Sequence, residues 1–450
     1  MQGYFEPLQG LPAYRELREQ VQAGNTPVLL TGVVDVQKVH MLCGLLEELG
    51  RPGLLLTHSQ RRAAEMAGDA AFFRGEALVF PVRDFLAYRA DAHSMEEDTG
   101  RMLALDALAG GKQTLVVASV EALFDRLLPP AAFRSFRMEW RPGDVLHLDE
   151  TAERLVTMGY ERVERAEAPG QFALRGGILD VFSPGEERVQ RVELWDDEVD
   201  SVRLVDPLTQ RSVGQREVCR VLPVSELCCD PGEKAGILAR WDKAIARQAA
   251  KGEDTGRLQA MRDEFADGTL RELSLIYPFL PGGTATLLEY LPPNTVVFFD
   301  DPTAIRVHAD QVEAMFAESV KDRLNDGRLL PEQSGFLYGY DEILAQTKSF
   351  DRVLLSAFAQ KAEGFRLKGL ISLSAVGMPS FRQRMDLFAE ELAFRKKERA
   401  STLVLGGSEG RCQRLVKTLN ELGIEGAFVS NPQTVHLKPG VPVVAPGSIS

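Results

Sequence analysis

The stretch TPVLLTGVVDVQKVHMLCGLLEELGRPGLLLTH, residues 26–58, decides the fold class of the chain. Its first apolar run, TPVLLTG, is typical of a buried strand, and the following residues have helical spacing of apolar side chains until Gly50. A second strand-like run, RPGLLLTH, comes directly after that glycine. The alternation continues through EALVFPV, a helical stretch that ends in two glycines, and QTLVVAS. This order predicts a doubly wound, mostly parallel sheet with flanking helices.

The pattern changes after Pro129. Between about residues 161 and 221, short segments alternate with period two, which predicts antiparallel strands. A charged helical stretch and the buried strand TVVFFDD follow, and a further strand–helix alternation begins near residue 352. The predicted fold class is α/β, with parallel-sheet domains, an inserted antiparallel α+β domain and a small C-terminal α/β domain. The predicted units are 1–130, 131–222, 223–348 and 349–450.

Composition limits the possible functions. The chain has 450 residues, 44% of them hydrophobic and 26% charged, and a net charge of −13. Such an acidic balance predicts weak, non-specific DNA binding at best, because phosphate contacts need clustered Lys and Arg. Five cysteines without C-x-x-C spacing indicate neither a metal site nor a disulfide framework. No apolar run approaches 18 residues, so we expect a soluble cytoplasmic protein without membrane contact.

The first strand–helix junction resembles a phosphate-binding loop that has lost its key residues. Gly32 and Lys38 have the spacing of the G-x-x-x-x-G-K-[ST] motif. However, Gln37 replaces the second glycine, and Val39 replaces the Mg²⁺-binding hydroxyl. We predict a vestigial loop, with weak nucleotide binding as the alternative. The later run VVFFDD, residues 296–301, looks like the acidic strand of such a site but is interpreted as a strand end and helix cap.

Period two places three large polar or aromatic side chains on one face of the antiparallel unit. In GQFALRGGILDVF, residues 170–182, Arg175 lies on the face opposite Phe172. In RVELW, Arg191 and Trp195 lie opposite the valine and leucine. Arg and Trp dominate binding hot spots, so this face is a candidate partner surface. The alternative is structural, with both arginines paired to nearby carboxylates and the tryptophan covering a helix.

The segment FALRGGILDVFSPGEERVQRVELWDDEVDSVRLVDPLTQRS, residues 172–212, resembles the region shared by the bacterial excision-repair protein UvrB and the transcription-repair coupling factors, the Mfd family. The resemblance extends over about residues 20–345 and implies that the parallel-sheet domains are helicase-like. Two departures favour the Mfd family. The phosphate loop is degraded, and the stretch from Tyr88 to Thr99 is too short for the DNA-inserting hairpin of UvrB. The unit after residue 350 also resembles the small domain that follows the UvrB-like module in that family.

The resemblance implies a docking function. The matching positions Arg175, Arg191 and Trp195 would bind UvrA and recruit it to stalled RNA polymerase in transcription-coupled nucleotide excision repair. The chain is expected to be an N-terminal fragment without cofactor or ATPase activity. Its full-length parent would be an ATP-dependent translocase on double-stranded DNA, and would contact RNA polymerase and DNA through other domains. The alternatives are a divergent UvrB-like helicase subunit with weak nucleotide binding and a purely structural scaffold.

Overall fold

The computed structural model describes residues 3, 5–83, 95–270, 272–374, 381, 384–431 and 435–449. Its helices are α1 (Glu6–Gln9), α2 (Pro12–Gln22), α3 (Asp35–Leu49), α4 (Gln60–Arg74), α5 (Met95–Ala109), α6 (Pro130–Ser135), α7 (Leu148–Thr157), α8 (Pro231–Ala249), α9 (Gly256–Asp267), α10 (Pro302–Asn325), α11 (Tyr340–Gln346), α12 (Met385–Lys397) and α13 (Glu409–Glu421). Its strands are β1 (Val28–Thr31), β2 (Gly53–Thr57), β3 (Leu78–Phe80), β4 (Leu115–Ser119), β5 (Met138–Trp140), β6 (Glu161–Arg162), β7 (Gln171–Arg175), β8 (Ile178–Phe182), β9 (Val189–Trp195), β10 (Glu198–Val205), β11 (Ser212–Arg216), β12 (Cys219–Val221), β13 (Val296–Asp300), β14 (Asp351–Ser356), β15 (Gly369–Ser372), β16 (Thr402–Leu405), β17 (Ala427–Phe428) and β18 (Pro442–Ala445).

Seven of the described strands form one parallel sheet, in the order β15-β1-β14-β13-β2-β4-β3. Successive residues of a strand face opposite sides of a sheet, so a strand between two helical layers must be apolar on both. Phe298 packs in one hydrophobic core and Phe299 in the other, and both are almost fully buried. The continuous apolar runs therefore form a doubly wound sheet, and the predicted α/β class is confirmed.

The strands near residue 350 belong to this large sheet. β1 pairs on one side with β14, where Val28 lies opposite Val353, and on the other with β15, where Val28 lies opposite Gly369. This arrangement differs from the predicted unit 349–450. The separate small sheet contains β16, β18 and β17 in that order, and α12 and α13 pack against it through Leu392 and Leu419. A buried apolar run indicates a strand, but its composition does not specify which sheet it joins.

A six-stranded sheet of mixed direction forms the inserted unit, in the order β11-β10-β9-β8-β7-β6. Its strands from β7 to β11 pair antiparallel, and β6 pairs parallel with β7. Phe172, Leu179 and Val192 point to one side and pack with Leu155 of α7. The period-two alternation thus buries one face and leaves much of the opposite face polar, as the predicted α+β insert requires.

A buried ion-pair cluster joins the large sheet to the segment that leaves the inserted unit. Arg101 of α5 is 1% exposed and donates through Nη2 to Glu226 Oε2 at 3.2 Å. Arg83 Nη2 donates to the same oxygen at 2.5 Å. Burial alone raises the pKa of Glu226, but the two guanidiniums outweigh it and hold that pKa below its usual value. Removing one member of such a cluster leaves an uncompensated buried charge, which costs about 3–5 kcal/mol.

The structure describes only the end of the segment that is expected to be too short for a DNA-inserting hairpin. The short stretch Tyr88–Thr99 lies largely outside the described residues, which resume at Met95, where α5 begins. Among the described helices, none combines the length and apolar character needed to cross a bilayer. Within the same described part of the chain, no group of three or more His, Cys, Asp or Glu side chains is arranged to hold a metal ion.

Candidate docking surface and nucleotide loop

The register of the inserted sheet brings Arg175 and Arg191 to one carboxylate. Asp180 of β8 lies directly opposite Arg191 of β9, while Arg175 ends β7 opposite Ile178. Arg191 donates through Nε and Nη2 to Asp180 Oδ1 and Oδ2, at 2.7 and 2.8 Å. Arg175 Nη2 donates to Asp180 Oδ2 at 2.7 Å. The sheet therefore joins two of the predicted residues through a third, which sequence analysis did not single out.

The group carries a surplus positive charge. Asp180 is 1% exposed, whereas the side chains of Arg191 and Arg175 are 17% and 46% exposed. Hydrogen bonding to Asp180 raises the pKa of Arg191. One carboxylate neutralises only one of the two guanidiniums. The neighbouring Glu193 also attracts Arg191, but its own ion pair is with Arg203 at 3.0 Å, so counting both members of that pair leaves the surplus unchanged.

Trp195 lies at the end of β9 with 83% of its surface exposed. It pairs in register with Glu198 across the turn that contains Asp196, whose φ is +58°. The alternative in which this indole covers a helix is wrong, because most of the side chain is exposed. The structural alternative also expects both arginines to pair with nearby carboxylates. They do pair with a carboxylate, but it belongs to Asp180 and not to a residue of the turn. An indole this exposed is uncommon and is characteristic of interface anchors.

A groove of about 550 Å³ adjoins Arg175 at the β6 edge of the sheet. Arg162, Glu164, Arg165 and Leu174 also line it. Among the described residues, neither Arg162 nor Arg165 forms an ion pair, and both are exposed. Sequence analysis missed this groove because β6 has only two residues and shows no period. The cationic character of the face therefore extends past Arg175 toward the sheet edge.

The lysine of the predicted vestigial loop is already neutralised. Lys38, 6% exposed, donates to Asp300 Oδ1, and Arg62 Nε donates to Asp300 Oδ2 at 2.9 Å. Val39 is fully buried in the core beside the large sheet. Asp301 accepts from Ala304 N at 3.2 Å and caps α10, which agrees with its interpretation as a helix cap. Asp300 instead serves as the counter-ion of Lys38.

The backbone around Gly32 is closed by the chain itself. Gly32 has a φ of +77°, and a Cβ at this position would lie 1.7 Å from the carbonyl oxygen of Leu373. Leu373 N donates to Thr31 O at 2.9 Å, which fixes that segment across the end of β1. The side chain of Gln37 accepts from Val34 N at 3.2 Å and caps the first turn of α3. The loop residues thus bond to one another and to the segment after β15.

Comparison with known proteins gives a consistent classification. The family described as the UvrB interaction domain matches residues 138–227, which contain the inserted sheet. The chain is 27% identical over 435 residues to the transcription-repair-coupling factor of Bacillus subtilis (strain 168), covering 94% of this chain and 36% of that protein. Over 421 residues it is 24% identical to the factor of Staphylococcus aureus (strain USA300), covering 91% and 35%.

The UvrABC system protein B of Acinetobacter baylyi is 32% identical over 478 residues, covering 94% of this chain and 69% of that protein. The fold and the matched domain define a UvrB-like module. The chain belongs to the UvrB-related family, which includes UvrB itself and the UvrB-like N-terminal module of the transcription-repair-coupling factors. It spans about a third of the length of the coupling factors that it matches.

Proposed function

We propose that this chain is a docking module that binds UvrA and recruits it to stalled RNA polymerase in transcription-coupled nucleotide excision repair. The observation that carries the proposal is the arrangement of Arg175, Arg191 and Trp195, the docking patch, on one face of the inserted sheet. This sheet lies in the segment that matches the UvrB interaction domain. Two of the relatives are named as factors that couple transcription to repair, which supports the proposal.

The chemistry of the docking patch suits a protein partner. An arginine makes planar, charge-assisted hydrogen bonds to carboxylates, so the surplus charge beside Asp180 fits an acidic side chain of UvrA. Trp195 supplies a large rigid apolar surface with few rotatable bonds, which limits the entropy lost on binding. The exposed arginines of the adjoining groove can steer an acidic partner toward the patch.

We also propose that the chain does not hydrolyse ATP. A phosphate loop needs a lysine that can reach the β- and γ-phosphates, and Lys38 is buried against Asp300. The metal-binding hydroxyl is replaced by the buried Val39, and Leu373 lies against Gly32. We further propose that ATP-driven translocation on double-stranded DNA and contact with RNA polymerase belong to parts of the coupling factors that this chain does not cover.

Binding of UvrA by purified chain tests the docking proposal directly. Isothermal titration calorimetry should give a measurable affinity for the parent and a large loss for Arg175→Ala. Arg188→Ala is the matched control, because Arg188 is 43% exposed and ion-paired to Asp206 just before β9. The parent and the control should bind alike. If UvrA does not bind the parent, or binds Arg175→Ala as well as the parent, the docking assignment is incorrect.

A second candidate, a divergent UvrB-like subunit that binds nucleotide, is favoured by the 32% identity to a UvrB over most of both chains. Thermal unfolding with millimolar Mg-ATP separates the two. A ligand that binds only the folded state raises its apparent stability, by about 2.7 kcal/mol at a hundred times Kd. We expect the melting temperature to stay unchanged, and a clear upward shift would favour the second candidate.

A further inference from the structure

Asp180 is the group at which the two arginines of the docking patch meet. It is 1% exposed, so a partner cannot reach it, yet its oxygens accept three hydrogen bonds, two from Arg191 and one from Arg175. A buried carboxylate is tolerated only when it is paired and hydrogen-bonded in this way. The same bonds restrict the rotamers of two side chains that would otherwise be long and flexible.

We infer that Asp180 is a positioning residue of the docking patch: it holds both guanidiniums in one orientation, in which they bind a single carboxylate of UvrA. The inference rests on the proposed function. Arg175 uses Nη2 for Asp180, and within the described residues its Nε and Nη1 make no hydrogen bond. Arg191 likewise keeps Nη1 for a further acceptor. Each guanidinium therefore has N–H donors left for the partner.

The charge balance at this arginine pair favours a single partner carboxylate. Two guanidiniums and one buried carboxylate leave a single positive charge, and Glu193 is engaged by Arg203 and Ser201. One partner carboxylate would complete the neutralisation, whereas a second would be left without a countercharge from this pair. Because the arginines are already ordered, binding costs less conformational entropy than it would for two free side chains.

The sign of one mutational effect separates positioning from simple charge. Asp180→Asn keeps the size of the side chain but makes the face more positive, so an effect of charge alone would tighten binding of an acidic partner. Loss of positioning weakens binding instead, by about tenfold or more. Glu193→Gln is the matched control, because it makes the same charge change on the same face without removing any hydrogen bond of Arg175 or Arg191. It should leave the affinity equal or slightly higher.

A double-mutant cycle keeps the test informative if Asp180→Asn also loosens the fold. UvrA affinity is measured for Asp180→Asn alone, in the Arg175→Ala background and in the Arg191→Ala background. A positioning role predicts a clearly smaller effect of Asp180→Asn where an arginine is already missing. The Nε signal of Arg191, which donates to Asp180 Oδ1, should exchange slowly with water in the parent and become fast in Asp180→Asn.

The outcomes distinguish this inference from the proposed function. Equal or tighter binding by Asp180→Asn, with Arg175→Ala still defective, overturns the inference and leaves docking intact. If Asp180→Asn lowers the affinity for UvrA by the same factor in every background, the inference is also overturned, because that result indicates a structural role. Failure of the parent to bind UvrA overturns the proposed function itself.

Discussion

The ammonium group of Lys38 donates to the carboxylate of Asp300, 262 positions later in the chain. Lys38 lies in the first turn of α3 and Asp300 ends β13, so this pair connects two elements at the carboxyl edge of the large sheet. Arg62 of α4 bonds to the other oxygen of Asp300. Lys38 of the predicted vestigial loop is thus part of the structural framework, and its effect on stability can be measured.

Lys38→Met should destabilise the chain by about 3 kcal/mol, because Asp300 would remain buried with only Arg62 as partner. Urea unfolding followed by circular dichroism measures the change. Lys243→Met, at an exposed position of α8, is the control and should stay within about 0.5 kcal/mol of the parent. A Lys38→Met variant as stable as the parent would show that the pair contributes nothing.

Arg175→Ala and Arg191→Ala should weaken UvrA binding to a similar extent but should differ in their effect on the free energy of unfolding. Each is expected to cost about 2 kcal/mol or more in UvrA binding. Arg175 is half exposed and makes one bond to Asp180, so its removal should change the free energy of unfolding by less than about 0.5 kcal/mol. Arg191 is mostly buried and makes two bonds, so its loss should destabilise by about 1–3 kcal/mol. Chemical denaturation beside calorimetry tests both halves, and unfolding of the domain by Arg175→Ala would contradict the first.

Trp195→Ala should weaken UvrA binding without altering stability. With 83% of its surface exposed, the indole contributes little to the core, so unfolding should change by less than about 0.5 kcal/mol. Trp241→Phe is the contrasting variant, since Trp241 is fully buried between Phe265 and Phe279 and should lower stability while sparing binding. Loss of stability in Trp195→Ala would indicate that the indole packs against the protein.

Asp125 gives the chain a predictable dependence on pH. Burial raises the pKa of Asp125 from 3.8 to about 7, although its Oδ2 lies 2.7 Å from Arg101 Nη2. The attraction of Arg101 and Arg83 lowers this pKa but does not outweigh the effect of burial. Between pH 3.8 and about 7 the folded state keeps a proton that the unfolded state has lost. The contribution of this group to stability therefore falls as pH rises through that window.

Asp125→Asn is neutral at every pH and removes this dependence. Its stability relative to the parent should therefore increase between about pH 4 and pH 8, by on the order of 3 kcal/mol. Urea denaturation at the two pH values measures the difference, with Asp267→Asn at the exposed end of α9 as control. A relative stability that is flat with pH, or that falls, would be inconsistent with a raised pKa.

The sequence predicts what is local and repetitive in this chain. Period two places Arg175, Arg191 and Trp195 on one face because the side-chain alternation of a strand needs no knowledge of its neighbours. The pairing of Asp180 with the arginines was not predicted, because it depends on the strand register, which places Asp180 opposite Arg191. A single acidic residue inside the apolar run ILDVF is the signal that could have revealed it.

Partners that are distant in sequence were beyond such reasoning. The pattern of Gln37 and Val39 predicted a degraded loop, but the bond from Lys38 to Asp300 depends on strand order in the large sheet. The pairing of β15 with β1 depends on contacts across more than 300 positions, as Thr31 and Ser372 show with a separation of 341. Apolar composition identifies such strands without specifying their neighbours.

The bonds from Arg83 and Arg101 to Glu226 have a mechanical consequence for anything held by the inserted sheet. A domain that two chain crossings connect to its host could rotate about the line between those crossings. Here one crossing is clamped by buried charges, so the rotation would require pulling a carboxylate away from two guanidiniums without water to replace them. A partner bound to the outer face of β9 is therefore expected to rotate together with the large sheet as one rigid unit.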